Sequence, residues 1–152
     1  MDIVLAYQVL QIKTNQSSTS TQGISLIIAA RNEAENLKQN LTSILQQQHS
    51  NFEVVVVNDN STDNTTSILK DFKKRYSNFR YFSMQSDEPS KKKALTLGIK
   101  NSKFDTLCFT DADCRPLSPL WLSKMKNYIS TRTPLVLGFS PYAKSGGILN
   151  KM

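Results

Sequence analysis

From residue 24 onward, short apolar runs alternate with amphipathic stretches in a fixed order. Residues 24–30 (ISLIIAA) and 52–57 (FEVVVV) are nearly continuous apolar runs, the pattern of parallel strands covered on both faces. Between them Leu37, Leu41, Ile44 and Leu45 recur at helical spacing, which predicts a helix over about 33–48 with Asn32 as its cap. A second helix, ending near Tyr76, buries Ile68, Leu69 and Phe72, and a strand follows over 79–84. A third helix starts at Ser90 or Lys91, runs to about Asn101 and carries Ala94, Leu95, Leu97 and Ile99. A strand over 106–110 comes next. Ser118 as cap and Pro119 at the first helical position then open a helix with Trp121, Leu122, Met125 and Ile129, and a last strand covers 135–139.

Repeated strand–helix units predict an α/β fold, a mostly parallel sheet with helices on both faces and right-handed crossovers. The loops after parallel strands all emerge at one edge, where open α/β sheets bind ligands. Three polar clusters fall there. Ala29 to Glu33 follows the first strand of this series, Asn58-Asp59 the second, and Asp111-Ala112-Asp113 the fourth. Charge at the end of a buried strand is costly unless it is paired, hydrated or bound to a cation. Two carboxylates on one turn offer hard oxygen ligands, suited to Mg2+ or Mn2+. An Asp-x-Asp alone is more simply an ordinary turn with solvated acids. Three clusters on one edge favour a site for a metal and a diphosphate.

A length of 152 residues suits about one domain with a real core. The net charge of +7 is unevenly spread: residues 1–76 carry seven basic and seven acidic side chains, residues 77–152 twelve and five. Such asymmetry suits an anionic ligand or an anionic membrane surface. It does not point to nucleic acid, because the basic residues are not interleaved with exposed aromatics and no nucleic-acid module is recognisable. Cys108 and Cys114 have no disulfide or zinc spacing; a core residue and a reduced loop thiol are expected, in a cytosolic compartment. His49, the only histidine, is expected as a solvated loop residue and Trp121 as core.

Residues 1–12 form an apolar segment too short to span a bilayer, which needs roughly 20 residues. They are expected to be the remnant of a membrane anchor or a helix lying on a surface. Residues 13–23 (KTNQSSTSTQG) have the composition of a linker, so the folded domain is expected over 24–152.

Four blocks, SLIIAARNE (25–33), VVVVNDNSTD (54–63), SKKKAL (90–95) and TDAD (110–113), resemble the successive motifs of family 2 glycosyltransferases, in family order and spacing. The resemblance covers about residues 24–140. It implies the Rossmann-like GT-A fold and a nucleotide-diphosphate sugar donor, with a UDP-sugar favoured. Residue by residue, it implies that Ala29, Arg31 and Glu33 lie against the nucleoside and that Asp59 reads the base. Lys91, with Lys92 beside it, would face the diphosphate. Asp111, Ala112 and Asp113 form the Asp-x-Asp, with Asp111 toward the ribose or sugar and Asp113 on Mn2+ or Mg2+, so that both acids belong to the metal site. Asn58 stands where the family commonly has an acid, and Ser90 where it has glycine.

The implied activity is metal-dependent, inverting transfer of a sugar to an unknown glycan or lipid-linked acceptor in cell-envelope polysaccharide synthesis. The setting would be the cytoplasmic face of the membrane, with membrane association through parts outside this chain. The family's general base usually lies well beyond the Asp-x-Asp, and residues 142–152 offer no acid. The catalytic base is therefore expected beyond Met152. The chain is expected to be the donor-binding part of a longer enzyme, lacking its C-terminal part and inactive alone. Two alternatives stay open: a nucleotide-sugar-binding module without transfer activity, and a nucleotidyltransferase, although the glycine-rich phosphate loop of the latter is absent here.

Overall fold

The computed structural model describes residues 7–11, 23–85, 88–130 and 132–138. Its elements in chain order are β1 (Tyr7–Gln11), β2 (Ile24–Ala30), α1 (Ala34–Leu45), β3 (Phe52–Asp59), α2 (Thr65–Arg75), β4 (Phe79–Met84), α3 (Lys91–Lys100), β5 (Thr106–Phe109), α4 (Trp121–Asn127) and β6 (Leu135–Gly138). They build one sheet of order β4-β3-β2-β5-β1-β6. β4, β3, β2 and β5 are parallel, while β1 is antiparallel to both β5 and β6.

The alternation of side chains along a strand divides the core between two faces. Ile24, Leu26, Ile28 and Ala30 of β2 join Val54 and Val56 of β3 in the larger cluster, covered by Leu37, Leu41 and Ile44 of α1, Leu69 and Phe72 of α2, and Leu122 of α4. Val55 and Val57 point the other way, toward Ala94 of α3. That helix lies close on the sheet because Gly98 has no Cβ; one placed there would sit 2.5 Å from Ile27 Cγ2. Both faces are thus filled, as the apolar runs require. Trp121 packs against the larger cluster, half-buried, and Cys108 is fully buried.

Several expectations are corrected. Tyr7–Gln11 is a sheet strand, neither anchor remnant nor surface helix, so the fold recruits residues upstream of position 24. Its partners lie about a hundred residues away at Thr106–Phe109, a pairing that no local pattern announces. Residues 1–6 and 12–22 of the expected N-terminal segment and linker lie outside the described residues, as does the stretch from 139 to Met152. α1 stops at Leu45 because Gln47 turns inward: its Nε2 donates to the carbonyls of Ser43 and Ser118, and its Oε1 accepts from Leu122 N–H. Ser118 and Pro119 precede α4 in a turn, in which Ser118 Oγ accepts from Leu120 N–H. His49 is half-buried rather than solvated. Its Nδ1 lies 3.2 Å from Ser123 Oγ, and its ring packs against Phe52. Burial, and then the charge of Lys126, lower its pKa. Among the described residues, no helix is long and apolar enough to cross a membrane.

Candidate functional site

β2 lies between β3 and β5, and all three run the same way, so their carboxyl ends share one edge. The register sets Ala29 beside Val57 and Ala30 beside Asn58, which brings the loop after β2 level with Asp59. A cavity of about 320 Å3 opens there, lined by Ala29, Ala30, Arg31, Glu33, Asp59, Pro89, Lys91, Asp111, Ala112 and Asp113. The structure therefore gathers eight of the nine candidates. Lys92 is exposed and not part of the lining. Being next to Lys91 in sequence does not carry it to the same place, because successive helical residues point about 100° apart. The general base expected beyond Met152 has no counterpart to place, since the described residues end at Gly138.

Each lining side chain is set by a distinct device. Asp59 ends β3 and is only 4% exposed. Its Oδ2 accepts from the N–H of Ser90 at 2.7 Å, while its Oδ1 is buried and has no hydrogen-bond partner among the described residues. An unmatched buried carboxylate oxygen is costly, and Asp59 is one of the residues that line the cavity, so a ligand donor that reached Oδ1 would relieve that cost. Ser90 Oγ accepts from Lys93 N–H and caps α3. The side chain that replaces the common glycine thus serves the helix, and its backbone serves Asp59.

Asp111 and Asp113 flank Ala112, which is buried in the larger core. Ala112 plugs the turn into the protein while both acids, each half-exposed, line the cavity. The turn is pinned by Asn40 of α1, whose Nδ2 donates to the carbonyl of Ala112 at 3.1 Å. Lys91 Nζ stands 2.6 Å from Asp111 Oδ1. Among the described residues, no three His, Cys, Asp or Glu side chains gather closely enough to hold a metal ion. Two carboxylates fit a divalent ion only if further oxygens come with the ligand, as happens when Mg2+ is held by one or two carboxylates and substrate phosphates.

The loops after β2 and β3 are locked together by groups that sequence reasoning missed. Asn32 has a positive φ of 55°, and Asn60 one of 56°. Asn32 N–H donates to Ser61 Oγ, while its Oδ1 accepts from Thr62 N–H at 2.8 Å. Asn32 therefore clasps the neighbouring loop and does not cap α1. That role falls to Asp63, whose Oδ2 accepts from Ala34 N–H and whose Oδ1 accepts from Thr65 N–H. One carboxylate thereby serves the starts of two helices. Asn58 spends both polar atoms nearby, its Oδ1 on Ser61 N–H in the loop and its Nδ2 on Thr66 Oγ1 at the start of α2, and is not part of the lining. The density of capping residues over 58–63 was the available signal.

Comparison with known proteins agrees with this geometry. The family model "Glycosyl transferase family 2" matches residues 25–152, and the chain belongs to that family. It is 35% identical over 92 residues to a poly-beta-1,6-N-acetyl-D-glucosamine synthase of Staphylococcus epidermidis, covering 60% of this chain and 22% of the relative. It is 37% identical over 90 residues to an uncharacterized glycosyltransferase of Rickettsia bellii, covering 59% and 13%. The chain thus spans about a fifth or less of the length of these curated relatives. Among solved structures, S. aureus TarS 1-349 in complex with UDP-GlcNAc superposes with a TM-score of 0.60 at 24% identity, over 70% of this chain and 31% of that one. The mannosyltransferase PcManGT from Pyrobaculum calidifontis, in complex with GDP-Man and Mn2+, gives 0.67 at 23% identity, over 72% and 33%. At such identities the likeness establishes the GT-A fold.

Proposed function

We propose that this family 2 glycosyltransferase domain takes a uridine-diphosphate sugar, with N-acetylglucosamine the favoured sugar, as donor for a cell-envelope polysaccharide. The observation that carries the reading is the free, buried Oδ1 of Asp59. A carboxylate only accepts hydrogen bonds, so it selects a base edge that presents an N–H. Adenine and cytosine offer donors only on the exocyclic amine, beside an unprotonated ring nitrogen whose lone pair a carboxylate repels. Guanine presents two adjacent donors and would need both oxygens, yet Oδ2 is held by Ser90 N–H. Uracil presents one N–H between two carbonyls, which matches one free oxygen. The sugar is suggested by the name of the staphylococcal synthase and by the ligand of TarS.

In this reading Lys91 would meet the diphosphate, Arg31 would lie against the nucleoside, and Asp111 and Asp113 would hold a Mn2+ or Mg2+. When bound, that ion supplies Lewis-acid charge to the departing nucleoside diphosphate. The acceptor hydroxyl attacks the anomeric carbon, the bond to the diphosphate oxygen breaks, and a carboxylate outside this cavity takes the hydroxyl proton, inverting the centre. A cytoplasmic setting at the membrane face fits a nucleotide-sugar donor and a chain in which Cys108 and Cys114 form no disulfide with each other.

Equilibrium binding in the presence of Mn2+ tests this. UDP-N-acetylglucosamine should bind at least about tenfold tighter than GDP-mannose, and Asp59→Asn should weaken it by about ten- to a hundredfold, because the amide turns an N–H toward the base. Equal affinity for both nucleotides, unchanged by Asp59→Asn, would remove uridine recognition. Donor turnover assayed beside binding separates an enzyme from a binding module.

A further inference from the structure

We propose that Lys91 is a built-in counter-ion for Asp111, and that it makes cation binding conditional on the nucleotide. The inference rests on the donor-site reading above. The ammonium lies 2.6 Å from Asp111 Oδ1, on one of the two carboxylates available to a divalent ion. The ammonium already occupies an acceptor site on Oδ1, and its charge repels a cation approaching either oxygen of Asp111. A free cation must therefore work against Lys91 or make do with Asp113.

The placement of Lys91 does not come from the needs of α3. Lys91 is the first residue of that helix, and the first turn has three lysines and no acid. Cations there oppose the helix dipole, and such local conflicts gather at functional positions. The ion pair is also easily broken. Its side chains are 62% and 28% exposed, so water screens the attraction. A diphosphate offers Lys91 more negative charge and more oxygens than one carboxylate does. Transfer of the ammonium to the phosphates uncovers Asp111 while the same phosphates bring the missing cation ligands.

The base pocket is tied to this exchange through one peptide. Ser90 N–H holds Asp59 Oδ2, and the next residue holds Asp111. The start of α3 therefore touches both the base-reading acid and the cation-holding acid. Nucleotide and divalent ion should bind with positive coupling, which by linkage is the same seen from either ligand.

The test is Mn2+ binding to the 152-residue protein, followed by loss of the free-ion EPR signal, with and without UDP. Wild type should bind Mn2+ alone weakly and gain at least about tenfold in affinity when UDP is present. Lys91→Met should bind Mn2+ alone about three- to tenfold more tightly, since a repelling charge is gone, and show a smaller gain with UDP. Lys91→Arg should restore wild-type behaviour. Lys100→Met, at the far end of α3, should change nothing, and circular dichroism should show all four proteins folded. If Lys91→Met binds Mn2+ alone no better than wild type, or not at all, the counter-ion role is wrong. If wild type binds UDP in a Mn2+-dependent way but Lys91→Met keeps the full gain, the coupling fails and the donor-site reading stands. If wild type binds no UDP, that reading fails, and the Mn2+-only comparison still decides whether Lys91 covers Asp111.

Discussion

Asn40 and Ala112 are 72 residues apart and joined by one buried hydrogen bond, Nδ2 to carbonyl, of 3.1 Å. That bond fixes the turn between the two acids from below, so Asn40 touches no ligand yet decides where Asp111 and Asp113 stand. Asn40→Asp removes the only donor of the side chain and sets a carboxylate against a buried carbonyl. It should cost about 1–3 kcal/mol, the usual loss when a buried acceptor is left unpaired. Urea denaturation measures this, and a loss below about 0.5 kcal/mol would show that the turn holds itself. Mn2+-dependent UDP binding should weaken in the same variant.

Asp113→Asn tests the cation reading from the other side. Asp113 is half-exposed at the cavity, and its Oδ1 accepts from the weak donor Cys114 Sγ at 3.8 Å. Its loss should leave stability within about 1 kcal/mol of wild type, as for most changes outside the core. The enhancement of UDP binding by Mn2+ should disappear in calorimetry. An unchanged enhancement would mean that Asp113 is not a ligand.

Much of this was legible in the sequence, because the parallel strands are buried on both faces. A continuous apolar run such as Val54 to Val57 admits few other readings, and its end marks the site edge. Asp59, Asp111 and Asp113 were legible as acids placed where burial makes acids costly. What stayed hidden depends on partners distant in sequence. The pairing of Tyr7–Gln11 with Thr106–Phe109 is backbone to backbone and leaves no residue signature. Asn32 has the composition of a helix cap, but its left-handed φ aims it at Thr62 instead. Lys92 only adjoins the motif lysine, Lys91, in sequence, and the helix turns it out of the lining.

Asp63 gives a pH-dependent prediction. Slight burial pushes its carboxyl up, but hydrogen bonds from the Thr65 hydroxyl and N–H and from Ala34 N–H outweigh this and hold it below the ordinary value of 3.8. A depressed folded-state pKa means stability that is fully present above the unfolded value and lost as pH falls through the folded one. Asp63→Asn keeps one acceptor and turns a donor toward the second N–H. Its melting temperature should lie below wild type at pH 5–7, and the gap should close as pH falls below about 3.8, toward protonation of the wild-type acid. A gap that persists undiminished at the lowest pH tolerated would mean that the charge of Asp63 is irrelevant to the clasp.

The opposite end of the sheet holds a second polar network, which should affect stability and leave the ligand alone. Glu53 is buried on β3. It accepts from Ser25 Oγ at 2.8 Å, Lys103 N–H at 2.6 Å and Arg80 Nη1 at 3.1 Å. The same Arg80 nitrogen also donates to the carbonyl of Asn101, and the guanidinium lies over the Phe82 ring. Removing one partner of a buried pair costs more than the pair is worth, because the other is stranded. Glu53→Ala should therefore cost about 3 kcal/mol or more, since three donors lose their acceptor. Arg80→Ala should cost less: Glu53 keeps two donors, and Arg80 is partly exposed. The double variant should lose less than the sum of the two, as for any contacting pair. Denaturant titrations of the three proteins measure this, with UDP affinity as the control. Glu53 pairs in register with Ser25, at the start of the parallel strands, while the cavity lies at their ends, so affinity should hold at temperatures where each variant is folded. Additive losses, or a cost for Glu53→Ala below about 1 kcal/mol, would show the network to be ornamental to stability.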